Sequence, residues 1–392
     1  MNKLIIVGNG FDIHNGLPTR YSDFLKWYLN NCLNTAFKIF FDNVPLNNDF
    51  ILSIDDLFKI RITRHNSGID VIDITNIEQL TKIICEDGVK TFGNLLFSYS
   101  GIMINIKVQV TSLLMESLLR NQQSKNWVDI EMAYYKLLKD SLKEYEKRHS
   151  DHEYSIDNLM KINNDLNTIK EYLEKYLIEV SAGKSVNPNF DYCAAGTIDS
   201  NIIIDTHHLN DLSQDDFEPK SNKYIVPKKV LFLNFNYTVL PYKLKRMYYD
   251  YIDIHGSLKN PNNRPIFGFG DEVDSDYLEM EKTNMNEFLT HIKSFGYFQN
   301  SNYHKLINFL KSDSYVVYIW GHSCGLSDRT LLSMVFEHDN CAAIKPYYWK
   351  KENGVDNYTE ITQNISRHFK NKLKLRNRVV NKELCSPLGS QH

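Results

Sequence analysis

Four short segments place residues able to do chemistry directly after apolar runs, and each run reads as a buried strand. The first is Leu4-Ile5-Ile6-Val7-Gly8-Asn9-Gly10-Phe11-Asp12. Glycines directly after a buried strand let the backbone turn sharply and approach a phosphate with no Cβ in the way. A helix starting there would add free N–H groups and a positive dipole end. Ile13 stands where the full G-x-G-x-x-G pattern has its third glycine, so a plain strand-to-loop turn suits Gly8, Asn9 and Gly10 as well. Asp12 adds a carboxylate near the strand end, where open sheets bind their ligands.

The second segment is Asn234-Phe235-Asn236-Tyr237-Thr238. The Asn236 amide can donate and accept at once, which suits a ribose hydroxyl or a water; equally it can cap a helix. The third, His255-Gly256-Ser257, offers a general base near neutral pH or a purely structural histidine. In the fourth, Gly321, Ser323 and Asp328 resemble a second phosphate- or ribose-binding loop, although Ser327 or Asp328 can cap the following helix. Gly321-His322-Ser323-Cys324-Gly325 also satisfies the G-x-S-x-G elbow of an esterase. Such an enzyme would have to find its acid and histidine among Asp328, His338, Asp339, Asp356 and His368. Glu131 is a further candidate, because it falls on the apolar stripe of Trp127, Ile130, Tyr134, Leu138 and Leu142. An acid facing a core needs a partner or a ligand, and a nearby base would satisfy it equally.

The elements that must position these residues are strands at 3–7, 229–233, 251–254, 315–320 and 341–346. Helical patterns at 239–248, 276–295, 304–311 and 329–337 separate most of them. Strand and helix in alternation predict an α/β fold, a Rossmann-like and mostly parallel sheet. After the first strand comes a large helical insertion, with helices at 21–36, 91–120, 127–147 and 156–180. The expected organisation is a nucleotide-binding core from 1–20 and 225–350, the insertion at 21–186 and a polar loop region at 187–224. Residues 351–392 form a C-terminal basic helix and tail; its helical stretch, 361–383, reads as a solvated face rather than a nucleic-acid or lipid patch.

Composition narrows the function. The 392 residues are 42% hydrophobic, and 45 basic side chains nearly balance 48 acidic ones. That balance calls for neither nucleic acid nor a membrane surface. None of the six cysteines forms a CxxC pair, so a zinc ribbon is not expected, and scattered reduced thiols fit a cytoplasmic protein. No signal peptide and no membrane span are predicted. An acidic cluster at metal-ligand spacing is missing as well, which argues against a nuclease-like toxin.

Taken in order, GNGFDIHNGLPTRYSDF, NWVDIE, FLNFNYT, IHGSL, IFGFGDE and VYIWGHSCGLSD resemble the bacteriophage abortive-infection AbiH family. That resemblance implies an antiviral role in bacteria, through death or dormancy of the infected cell. A more distant resemblance is to sirtuin-like NAD-consuming domains, at Gly8, Gly10, Asn236, His255, Gly321 and Ser323. It implies a sirtuin-like fold and an NAD glycohydrolase, with NAD as substrate and no prosthetic group. Asn236 would orient ribose or water, His255 would take a proton, and Gly8, Gly10 and Ser323 would line the phosphates. Asp12 would contact the nicotinamide side. The missing zinc ribbon speaks against deacetylation, and Thr238 stands where those enzymes often carry an aspartate. A non-catalytic nucleotide sensor uses the same pocket, and a homo-oligomer or a defence-system partner fits either case.

Overall fold

The computed structural model describes residues 1–43, 50–64, 95–99, 102–120, 127–147, 152–182, 187, 190, 194, 196–238, 249–258, 260 and 262–390. Its strands are β1 (Asn2–Val7), β2 (Phe50–Ser53), β3 (Phe58–Arg64), β4 (Leu95–Tyr99), β5 (Ile102–Val110), β6 (Ile198–Asp199), β7 (Tyr224–Ile225), β8 (Val230–Asn234), β9 (Tyr249–Asp253), β10 (Tyr315–Trp320) and β11 (Cys341–Tyr347). The helices used below are α1 (Asn9–His14), α2 (Tyr21–Asn43), α3 (Leu113–Arg120), α4 (Trp127–Lys147), α5 (His152–Ser181), α6 (Ser275–Lys282), α7 (Lys293–Tyr297), α8 (Asn302–Ser312), α9 (Arg329–Glu337), α10 (Tyr358–Ser366) and α11 (Lys372–Arg378).

The chain forms two compact units, residues 1–19, 177–282 and 291–392, and residues 20–176 and 283–290. The first is built on a five-stranded sheet in the order β11-β10-β1-β8-β9, parallel at every pairing. Strand β1 lies at its centre, with all six residues buried, as a continuous apolar run in a two-sided sheet should be. Chain order runs outward from β1 to β8 and β9, then jumps to the other side for β10 and β11. Connections therefore diverge between β1 and β10, the position at whose carboxyl edge open parallel sheets bind their ligands.

The expected polar loop at 187–224 turns out to be part of this unit's core. Phe190, Ala194, Ile198, Ile202, Ile203 and Ile225 are buried, and the Phe190 ring packs on Phe11 and Trp320 at 4.6 and 5.1 Å. Phe190, Ala194, Ile198 and Ile202 recur every fourth residue, but the prolines and polar residues around them read as loop. The C-terminal segment is amphipathic as expected, with Arg367, Lys370, Lys372 and Arg376 exposed, but its other face is packed on the core. Arg378 is buried and donates to the Phe336 carbonyl at 2.7 Å, and Val380 N–H donates to Ile344 of β11 at 3.0 Å. Asn371, accepting from Leu373 and Lys374, starts α11 afresh and divides the helix expected over 361–383. The helix expected over 276–295 is divided too, because Asn284 adopts φ 57°, a left-handed conformation that asparagine tolerates and a helix does not. The helix expected at 239–248 lies outside the described residues.

The second unit corrects the expectation of a purely helical insertion. Helices α2, α3, α4 and α5 are present, but β2, β3, β5 and β4 form an antiparallel sheet in that order. Among the described residues of 91–120, α3 bears out the helix over 113–120, but β4 and β5 are strand, and in β5 Ile102, Ile104, Ile106, Val108 and Val110 repeat every second residue. β-Branched residues at period two favour a pleated surface over a helix. Glu131 sits on α4, 5% exposed.

Gly321 is one of the tightest points of the first unit. It adopts φ 68°, and a Cβ on it would lie 2.2 Å from the Phe11 nitrogen. We expect Gly321→Ala to lower unfolding free energy by about 2–4 kcal/mol, measurable as a lower denaturant midpoint with an unchanged slope.

Candidate functional site

The carboxyl ends of β1, β8, β9 and β10 deliver their polar residues to one edge of the sheet. The β1 loop sits directly against the β10 loop, where a Cβ on Gly8 would meet the His322 Cα at 2.5 Å. Gly8 N–H donates to Trp320 O at 3.0 Å and Gly10 N–H to Gly321 O at 2.8 Å, while Phe11 N–H returns to Gly8 O at 2.9 Å. Asn9 is engaged as well, donating to Thr19 O at 2.9 Å and accepting from the Thr19 hydroxyl at 2.6 Å. The glycines are thus needed for backbone-to-backbone packing, and these amides are already spent within the protein.

Asn236, 7% exposed, reaches across from β8 and donates to Gly8 O at 3.1 Å. Its neighbour Asn234 braces the turn, donating to Asp253 at 2.8 Å and accepting the Asn236 N–H at 3.1 Å. Thr238 donates to Asp12 Oδ2 at 2.6 Å. Burial raises the Asp12 pKa to about 7, against the Thr238 hydroxyl and the Asn236 amide, which both favour the charged form. The other oxygen, Oδ1, is buried without a hydrogen-bond partner.

Beside this uncharged cluster lies a charged one centred on Asp328. Lys293 Nζ lies 2.7 Å from Asp328 Oδ1, His255 Nε2 3.2 Å from the same oxygen, and His322 Nε2 3.5 Å from Oδ2. Lys293 is 1% exposed and Asp328 4%. The Phe235 ring stands edge-on to both imidazoles, 5.0 Å from His255 and 4.3 Å from His322. His322 Nδ1 accepts the Cys324 N–H at 3.0 Å, which leaves its Nε2 to carry a proton toward Asp328. Burial works to raise the Asp328 pKa, but Lys293 and the two histidines outweigh it and hold the carboxyl well below its usual range. For His255, burial and then the Lys293 charge lower the pKa to about 4, with Asp328 only partly offsetting them. His255 is therefore neutral at physiological pH.

Sequence reasoning missed Lys293. Its position depends on the RPIFGFGD stretch, where Phe269 N–H donates to His291 O at 3.0 Å and Lys293 N–H to Phe269 O at 2.9 Å. The paired glycines there hint at a close backbone approach but do not say to what. Of the residues singled out beforehand, Gly8, Asp12, Asn236, His255, Gly321 and Asp328 come together, while Glu131 belongs to the other unit. Ser323 is half-buried beside Gly321, and its carbonyl accepts from Asn364 at 2.9 Å.

The esterase geometry is not formed. Positive φ occurs at Gly321 and Cys324, not at Ser323, and α9 begins only at Arg329. Histidines 255 and 322 are directed at Asp328 rather than at the Ser323 hydroxyl. Elsewhere in this unit, Asp205, His207 and His208 place donor atoms within 4.8 Å of one another, a spacing that can hold a metal ion. Asp205 and His207 are exposed there.

A family model for bacteriophage abortive infection AbiH proteins matches residues 4–349. The chain belongs to the AbiH family. Its place is thus in phage defence, and the match spans all four strand ends of the site. No curated protein and no solved structure matches this AbiH chain. Among its described residues no helix is long and apolar enough to cross a membrane.

Two outcomes follow from the electrostatics. Replacing Lys293 with Met frees the Asp328 charge to act on His255. The His255 pKa, read by NMR of its ring carbons, should rise from about 4 toward or beyond its ordinary 6.5. Asp12 acts in the opposite sense. Its pKa is raised from 3.8 to about 7, so its contribution to stability is complete below pH 3.8 and is lost as pH rises to about 7. Asp12→Asn should therefore gain stability over the native protein between pH 4 and 7, by up to roughly 4 kcal/mol, in paired thermal melts.

Proposed function

We propose that this AbiH protein is an NAD-hydrolysing effector of phage defence that cleaves the nicotinamide–ribose bond. One observation carries the reading. Asn236 and His255, after the adjacent strands β8 and β9, reach Gly8 after β1 and Asp328 after β10, the two strands between which the connections of this parallel sheet diverge. With only its own five strands counted, the sheet runs 3-2-1-4-5, the order of doubly wound dinucleotide-binding folds. The motif order similar to sirtuin-like domains supports the same assignment.

In this mechanism Asn236 orients the ribose or the attacking water. His255 keeps its Nε2 proton on Asp328, so its other ring nitrogen is an acceptor for a ribose hydroxyl. Its low pKa makes it a weak base, and hydrogen bonding suits it better than proton abstraction. Gly8, Asn9, Gly10 and Gly321 shape the floor of the site. Because the Gly8 and Gly10 amides are committed, Ser323 is the hydroxyl offered to a phosphate, and Asp12 faces the nicotinamide end. Leaving nicotinamide generates an oxocarbenium-like ribose, which water captures.

A weak base at His255 also favours a second reading, in which the pocket senses a nucleotide without chemistry. The purified protein separates the two when NAD binding and nicotinamide release are followed together. Turnover is expected, and Asn236→Ala and His255→Ala should lower it about 100-fold or more, with matching loss of phage-induced growth arrest in cells. Binding without turnover would establish the sensor; a protein that does not bind NAD would sink both.

A further inference from the structure

We propose that Asp12 is the general base of this site: its Oδ1 takes the proton from the water that attacks the ribose carbon. The assignment rests on the NAD-hydrolysis reading and adds the proton acceptor that reading lacks. A buried carboxylate oxygen without a partner is uncommon in a folded protein and calls for a reason. Asp12 is 1% exposed; Thr238 occupies Oδ2 at 2.6 Å, and Oδ1 has no hydrogen-bond partner. Asn236, which orients the water, is close enough to Asp12 to favour its charge while holding Gly8 O at 3.1 Å. In this assignment the attacking water sits between Asn236 and Oδ1.

The buried acid of the neighbouring charged cluster is unsuited to the task. Asp328 is locked by Lys293 at 2.7 Å and by two histidines. Asp12 instead faces uncharged groups from the β8 edge, the Thr238 hydroxyl and the Asn236 amide. Its pKa of about 7 matches a base that must accept and release a proton near neutrality. The step balances. The C1′–N bond breaks with its electron pair going to the nicotinamide ring nitrogen, and water oxygen bonds C1′. One water proton passes to Asp12 Oδ1 and leaves with the product to solvent.

The test is a pH–rate profile of nicotinamide release between pH 5 and 9 for the full chain, Asp12→Asn and Thr238→Val, with NAD affinity measured by calorimetry. The native protein should lose activity below about pH 7. Asp12→Asn should turn over bound NAD about 100-fold more slowly or worse at saturating NAD, with that acid limb abolished. Thr238→Val removes a donor that favours the carboxylate, so its limb should move to higher pH. That shift decides the matter even if Asp12→Asn fails to fold. An Asp12→Asn variant as fast as the native protein, or a Thr238→Val limb that stays in place, overturns the assignment while hydrolysis stands. A native protein that binds NAD and releases no nicotinamide overturns the hydrolase reading itself, and the assignment with it.

Discussion

The ion pair between Asp328 and Lys293 is the interaction on which the rest of the site depends. Two charges this deeply buried gain little together, but either one alone would cost about 3–5 kcal/mol. The pair ties α7, the loop after β10 and the histidine after β9 into one unit. It also sets the chemistry. Lys293 takes up the negative charge that would otherwise make His255 basic, so the imidazole is a neutral hydrogen-bonding group.

The site consequently has two halves with opposite electrostatics. Around Asp328 the charges are fixed and balanced. Around Asp12 only neutral dipoles are present, and one proton can come or go near physiological pH. Gly8 joins the halves, accepting Asn236 from one side and packing against His322 on the other. The short glycine loop is therefore a spacer between two chemistries more than a cradle for a ligand.

Much of this architecture is readable in the chain because its signals are local. Strand Tyr315–Trp320 and helices Trp127–Lys147 and Arg329–Glu337 fall where apolar periodicity places them. Asn236, His255 and Asp328 are legible for a related reason: each follows a strand whose carboxyl end must face the site. Lys293 is not, since nothing in KSFGY distinguishes a buried lysine from a solvated one. Its burial is imposed by Phe269 and Ile292 pairing across a distant turn. The antiparallel sheet of the second unit was lost because long apolar stretches at 91–120 were given a helical period. The Ile and Val alternation at 102–110 is the signal that would have corrected it.

The central strand of the first sheet has neighbours that come late. More than 200 residues separate β1 from β8, and over 300 separate it from β10. At a ribosomal pace of roughly 5–20 residues per second, β1 waits on the order of ten seconds or longer for its first partner. During that time a strand with four consecutive apolar residues has both hydrogen-bonding edges open, the condition under which chains aggregate or recruit chaperones. Because the site is assembled from the ends of these same strands, it comes into existence only after nearly the whole polypeptide has been made. A function carried by these strand ends is silent in nascent and truncated chains.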